Sequence, residues 1–363
     1  MSWGARVKPR PEERSRVPDA CAIAAVASLS GNLVPGSGIV EMLKAMGPRY
    51  NGLGGGFAAY DVYPDFPDNF VLHVMFEDEG SRREFERRLG EKFRVAFSEE
   101  VPTRSGVFEE HPITWRYFLG EGGEGFEERV FRFVMAVDEG IDGAYVVSSG
   151  RNMAVFKGVG RPDKVAEFYK VESYKAAMWL GHGRYPTNSP GWWGGAHPFN
   201  ILGLSVVHNG EISSYGISKR YLASKGYKFI FLTDSEMLSY AFDYLLRVEK
   251  LSVDEACKVL SPRFWKEIGN GNEFLKRLRI RYQELHVNGP FSIAVGMRIN
   301  GDLYMLSLTD RLKLRPLVVG MSDDLFMASS EECGIRAIEP NVKKIWRPRA
   351  GEPVLVKVKR SEN

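Results

Sequence analysis

Cysteine is scarce in this chain of 363 residues: there are three, at positions 21, 257 and 333. So wide a spacing matches neither a disulfide framework nor a zinc-ligand motif, which makes a reducing cytoplasm the expected compartment. Glutamine is scarcer still, with Gln283 alone. That shortage is in keeping with the avoidance of labile amides at high temperature, although asparagine is not similarly rare. No apolar run approaches the ~18 residues of a membrane span. Excess charge is missing too: the net charge of +3 calls for neither a nucleic-acid nor a membrane partner. What remains is an ordinary globular composition, 44% hydrophobic and 26% charged, long enough to bury a substantial core.

Residues 1–20 gather Arg6, Lys8, Arg10, Arg14 and Arg16 against Glu12, Glu13 and Asp19, with no apolar centre. They read as a polar leader and not as a secretory signal. Residues 21–363 read as one domain. Its opening run, Cys21 to Ala27, is small and apolar, as a buried strand requires. Helical spacing follows over Ser37–Met46 and stops at Gly47-Pro48. From about 65 to 135 the texture changes to strands and charged or aromatic helices, which predicts an inserted α+β lobe. Strands are expected again at Ala144–Ser148, Met153–Phe156, Ala176–His182 and Leu204–His208. Helices are expected at about 216–225, 234–249, 252–268 and 272–285, then strands near 291–297, 302–307, 316–319, 325–328 and 352–358. Strands flanking a helical block without regular alternation argue for stacked sheets and helices, an α+β arrangement.

Four short strings carry the polar chemistry: Asp19-Ala20-Cys21, then Gly181-His182-Gly183-Arg184-Tyr185-Pro186-Thr187-Asn188, then His208-Asn209-Gly210-Glu211, then Thr233-Asp234-Ser235-Glu236. Together they offer a thiol, a cation, a side-chain amide beside a glycine, and an anion. Such a set holds an amino acid by its charged head and attacks an amide at the end of its side chain. A cysteine attacks as thiolate and needs a base or a positive field. If the chain were cut before Cys21, its own α-amine would be that base; otherwise Cys21 is a buried small hydrophobe. Cys333 lies among acids that would raise its pKa, and Cys257 sits on a core helix face.

Arg184 presents a fork that matches a carboxylate, with the Thr187 hydroxyl three residues on. Asn209 and Gly210 can serve as an oxyanion hole or as a plain turn. Asp234 reads equally as a helix N-cap and as a partner for an ammonium group. His182, His197 and His208 invite a metal, yet their spacings fit no compact ligand motif, so no metal is expected. The glycine cluster at 52–56 precedes a strand, which is not the placement of a dinucleotide fingerprint.

With these strings in place, the chain resembles the class II glutamine amidotransferases, which are N-terminal-nucleophile hydrolases. The likeness is strongest to the amidotransferase portion of glutamate synthase, especially its stand-alone archaeal-type version. It rests on the run from Gly181 to Asn188, Ala196-His197-Pro198-Phe199, His208-Asn209-Gly210-Glu211, and Asp310-Arg311 with Arg315-Pro316-Leu317. It spans Cys21 to about residue 340. Ala22 and Gly183 depart from the glycine and threonine usual at those places, and the leader is longer than a lone methionine.

The resemblance implies a four-layer αββα sandwich and removal of residues 1–20. It makes Cys21 the nucleophile, its new α-amine the base, and Asn209 and Gly210 the oxyanion hole. Arg184 and Thr187 would hold the glutamine carboxylate and Asp234 its ammonium, while Arg49 would help position the nucleophile. No cofactor is expected in this chain, because it has no flavin motif, iron–sulfur cysteines or nucleotide site. The expected partner is a separate flavin and iron–sulfur glutamate synthase subunit that receives the ammonia. The alternatives are a glutaminase serving a sugar-phosphate or phosphoribosyl acceptor, and a regulatory subunit that binds glutamine without cleaving it.

Overall fold

The computed structural model describes residues 20–359 except 121, 186–190 and 270–271. The described chain opens with β1 (Ala22–Ser28), β2 (Val34–Pro35), α1 (Gly36–Lys44) and β3 (Gly55–Tyr60). There follow β4 (Phe70–Phe76), α2 (Glu79–Lys92), β5 (Val95–Glu100), β6 (Ile113–Leu119), α3 (Phe126–Gly140) and β7 (Ala144–Arg151). Next come β8 (Met153–Gly158), α4 (Pro162–Phe168), β9 (Lys175–Ala176), β10 (Met178–Gly183), β11 (Phe199–Ile201) and β12 (Leu204–Gly210). A helical block holds α5 (Tyr215–Ser224), α6 (Asp234–Asp243), α7 (Val253–Leu260), α8 (Trp265–Ile268) and α9 (Glu273–Arg281). The chain closes with β13 (Phe291–Ile299), β14 (Asp302–Thr309), β15 (Val318–Met321), β16 (Leu325–Ser329), α10 (Glu332–Arg336), β17 (Lys344–Trp346) and β18 (Val354–Val358).

Among the described residues, seven strands form one sheet in the order β17-β15-β16-β1-β10-β3-β8, and five form a second, β11-β12-β13-β14-β18. Alternation along β1 shows how they stack. Ala22, Ala24 and Val26 pack with Ile39, Leu43 and Val165 of α1 and α4. Ile23, Ala25 and Ala27 pack instead with Val207, Ala294 and Met305 of the second sheet. A strand sends successive side chains to opposite faces, so a run apolar at every position is buried on both. The far face of the second sheet, with Val206, Ile293 and Leu306, packs on Met237, Leu238 and Ala241 of α6 and Leu222 of α5. The result is the expected helix–sheet–sheet–helix sandwich. Trp179 of β10 is fully buried in the first helix layer, and its indole N–H donates to the Val34 carbonyl at 2.9 Å.

The stretch expected as a lobe holds a further sheet, β5-β6-β4-β7, covered by α2 and α3. Its extent differs from the 65–135 expected from sequence. Residue 135 falls inside α3, and β7, which pairs with β4 from Phe70↔Arg151 to Phe76↔Ala144, completes the sheet. The helix expected over 252–268 is two pieces. Pro262 lies between α7 and α8, where a proline can neither donate an N–H nor admit the preceding turn. Short elements escaped the sequence pattern: α4, β11 and β17, of seven, three and three residues. No helix among the described residues is long and apolar enough to cross a membrane.

Candidate active site

The site lies where strands of both sheets end together. β1 and β10 run antiparallel with Ala22 opposite Gly183, so Cys21, just before β1, meets Arg184 and Tyr185, just after β10. The Tyr185 N–H donates to the Cys21 sulfur at 3.3 Å. Strand alternation carries the geometry further. Ile23 and Leu180 face the space between the sheets, so Cys21 and His182 lie in the same phase. Val207 faces the same space from β12, and Asn209, two residues on, shares its face. The thiol and the amide therefore approach the mouth of the sandwich from opposite sheets.

A cavity of ≈ 450 Å³ opens there, lined by Cys21, Arg184, His208, Gly210, Tyr215 and Asp234 among others. Asn209 is 1% exposed, and its Nδ2 finds no hydrogen-bond partner among the described residues. A buried donor left so costs free energy in the fold, which is why such groups concentrate at functional sites. Gly210 has φ +154°, and a Cβ there would lie 2.0 Å from the Pro290 oxygen and 2.9 Å from His208 Nε2. Only glycine fits that close approach of β12 to the start of β13. The chain beyond β14 is stapled to the same corner: Asp310 Oδ2 accepts from the Phe291 and Leu314 N–H groups at 3.0 and 2.9 Å.

Asp234 is not the helix cap. Thr233 caps α6, its hydroxyl accepting from the Glu236 N–H at 3.1 Å, and Asp234 is the first helical residue. The Asp234 carboxylate instead accepts from the Ile212 N–H at 3.0 Å and from the Ser235 hydroxyl at 3.2 Å. Arg49 lies in the turn after α1. Its Nε donates to the Cys21 carbonyl at 3.0 Å and its Nη1 pairs with Glu331 at 2.6 Å, which ties the start of β1 to the turn before α10. Arg184 lines the cavity, 4% exposed, and burial lowers its pKa against the raising fields of Cys21 and Asp234. Thr187 lies outside the described residues.

Burial raises the Cys21 thiol above its ordinary pKa, while the Tyr185 N–H, Arg184 and Arg315 pull it down. The three histidines do converge, but two of them as a stack and the third, His208, tilted away from it. The His182 and His197 rings lie 3.8 Å apart at 27°, and His182 Nε2 donates to the His208 carbonyl at 2.9 Å. Among the described residues no three metal-ligating side chains form a cation site. Cys257 is buried on α7 and Cys333 is exposed on α10.

Three neighbours were given no part in the reaction from sequence. Ser235 and His208 stand inside the quoted strings, and His208 was weighed there only as a metal ligand. Lys157 had no such signal. It is fully buried, donates to the Gly194 carbonyl at 2.9 Å, and lies 4.4 Å from the Phe231 ring centroid. Burial lowers its pKa to about 7. It anchors the loop that delivers His197 to the cavity.

Comparison with known proteins bears on the family of the chain. The family profile "Glutamine amidotransferases class-II" matches residues 126–230. An uncharacterized protein of Archaeoglobus fulgidus is 42% identical over 357 residues, covering 94% of this chain and 93% of its own. A putative glutamine amidotransferase of Methanothermobacter thermautotrophicus is 27% identical over 323 residues, covering 88% and 93%. The glutamate synthase [NADPH] large chain of Bacillus subtilis is 25% identical over 243 residues, 61% of this chain and 15% of its own. The chain belongs to the class II glutamine amidotransferases.

Proposed function

We propose that the chain hydrolyses glutamine to glutamate and ammonia through a thioester on Cys21, and passes the ammonia to a separate synthase subunit. Arg184, with Thr187, holds the substrate carboxylate, and Asp234 holds its ammonium. The Cys21 thiolate attacks the side-chain amide carbon. The oxyanion rests on the Asn209 amide and the Gly210 N–H. Ammonia leaves with a proton returned by the base, and water then cleaves the thioester to glutamate. The base is the α-amine of Cys21, freed when residues 1–20 are removed. The raised pKa of the buried thiol supports that need, because a neutral thiol does not attack.

One observation carries this assignment: the partnerless Asn209 amide, in the same strand phase as Val207, which packs against the sheet that begins at Cys21. Likeness to part of a glutamate synthase large chain favours a flavin and iron–sulfur glutamate synthase core as the acceptor. The test is ammonia release from L-glutamine by wild type and Cys21→Ala, together with intact mass. Expected are a mass beginning at Cys21, turnover by wild type, and none by Cys21→Ala, with glutamine affinity kept within a few fold. Turnover at the wild-type rate in Cys21→Ala refutes the mechanism. Glutamine binding by an uncut, inactive wild type would leave a regulatory glutamine-binding subunit.

A further inference from the structure

The carboxylate assigned to the substrate ammonium is held from two sides. Asp234 Oδ2 accepts from the Ile212 N–H at 3.0 Å, and Oδ1 accepts from the Ser235 hydroxyl at 3.2 Å. The Ser235 oxygen also lies 2.9 Å from His208 Nδ1. A hydroxyl has one proton to give, so with that proton on Asp234 the bond from His208 requires an Nδ1–H donor. The chain of donors then runs one way, from imidazole to hydroxyl to carboxylate. It leaves His208 Nε2 as a bare lone pair, and that atom is buried and without a partner among the described residues. Ser235 is 2% and His208 2% exposed, so neither hydroxyl nor ring is at liberty to turn toward solvent.

We propose that Ser235 and His208 form a positioning relay that aims Asp234 at the ammonium group of the amino-acid substrate. This rests on the assignment of Asp234 in the proposed function. Its chemical logic is one of competition. A lysine or arginine behind Asp234 would orient the carboxylate but would also neutralise the charge the ammonium seeks. A neutral imidazole–hydroxyl pair orients it and leaves the charge intact.

Burial keeps His208 below its ordinary pKa, and Arg315 acts in the same sense, while Asp234 and Glu211 oppose. The other titratable groups facing it are His197, with ring centroids 6.4 Å apart, and His182, bonded to the His208 carbonyl. The anion nearest the ring is Asp234 itself, its Oδ1 3.8 Å from His208 Nδ1. Ser235 and His208 are therefore positioning residues that touch the substrate's partner and not the reacting amide.

The experiment uses the full-length protein in a Cys21→Ala background, so that binding is read without turnover. Two ligands are titrated: L-glutamine, and glutaramate, which is glutamine without its α-amino group. Ser235→Ala should weaken glutamine about tenfold, the scale of one lost hydrogen bond to a charged group, and leave glutaramate unchanged. Ser235→Thr, which restores the hydroxyl, should recover most of that loss. If the alanine variant does not fold, Ser235→Cys, with its weaker donor, is read in the same way.

Equal weakening of both ligands means a structural role and overturns the relay. Unchanged glutamine affinity in Ser235→Ala, with a loss in Asp234→Asn, overturns the relay and keeps the ammonium site. Unchanged affinity in Asp234→Asn overturns the site itself, and the relay with it.

Discussion

Replacing Asn209 with alanine should separate catalysis from stability. The side chain is 1% exposed and its Nδ2 has no partner among the described residues. An unmet buried donor costs about 1–3 kcal/mol, and truncation removes that cost. The void left by three heavy atoms, some tens of Å³, costs roughly 1 kcal/mol at about 24 cal/mol per Å³. The two offset, so the melting temperature should move by no more than about 2–4 °C for a chain of this size. Activity should behave otherwise. Removing one donor from an oxyanion hole costs about 10²–10³ in kcat, or ~2.7–4 kcal/mol. Substrate affinity should hardly change, because the charge this donor meets exists only in the transition state. Steady-state ammonia release, glutamine titration and thermal unfolding on one preparation decide the matter. A kcat within threefold of wild type would refute the oxyanion-hole assignment. So would a large loss of kcat matched by a large loss of stability, since the side chain would then be part of the packing.

Gly210→Ala should instead fail on both counts. Its Cβ meets the Pro290 oxygen at 2.0 Å and the Phe291 Cα at 2.8 Å, so the end of β12 must shift, with lower kcat and a lower melting temperature. An alanine variant with wild-type values of both would contradict the close approach. Acid should destabilise the fold. Burial holds His73 and His182 at about 3 and His197 well below its ordinary 6.5. Each is neutral when folded and protonated when unfolded below pH 6.5, so each withdraws ~1.4 kcal/mol per pH unit as pH falls toward its folded value. Glu236, raised to about 7, and Asp138, raised well above 3.8, are protonated in the fold and act in the opposite sense. His208, also lowered by burial, and His286, lowered to about 4, act with the other rings, so the lowered histidines outnumber the two raised acids and stability should fall as pH drops from 6.5 toward 4.5. Urea unfolding at pH 7, 6 and 5 should show it; equal or greater stability at pH 5 would be evidence against those buried neutral rings.

The stacking of sheets was legible from runs such as β1, while the four-layer order was implied by the family resemblance. Cys21 to Ala27 has no polar face to turn outward, and such a run needs cover on both sides. The candidate site was legible because each of its groups stands at the end of such a run, beside a glycine or inside a short polar string. What sequence could not show are relations between strings. Asp234 looked like a cap because an acid at a helix start usually is one; the neighbouring Thr233 took that role, and Asp234 turned to the Ile212 N–H, 22 residues away. The Ser235–His208 bond joins residues 27 apart on different elements. Lys157 offered nothing to sequence, since a lysine in Val155-Phe156-Lys157-Gly158 reads as a strand end in water, yet the loop at 194–198 closes over it. The break between α7 and α8 is a different case: Pro262 was in view, and the apolar period on either side outweighed it.

Placing every site group at a strand or helix terminus has a mechanical consequence. A strand end is as fixed as the ladder behind it, and here the ladders belong to two sheets clamped by small side chains. Ala22, Ala24, Ala25 and Ala27 let β1 lie close to its neighbours on both faces. Arg49 then fixes the start of β1, joining the Cys21 carbonyl to Glu331. The distance from thiol to amide donor is thus set by sheet stacking and not by a loop. Under the proposed reaction, preorganisation of that kind would let Asn209 and Gly210 meet the oxyanion without reorganising when charge develops. It also explains why the thiol can stand in a buried place that raises its pKa. A rigid cleft holds the sulfur in position while leaving it neutral, and under the proposed reaction the α-amine freed at Cys21 is the one part still to be added. Chain cleavage would then switch on a site whose described members already stand in place.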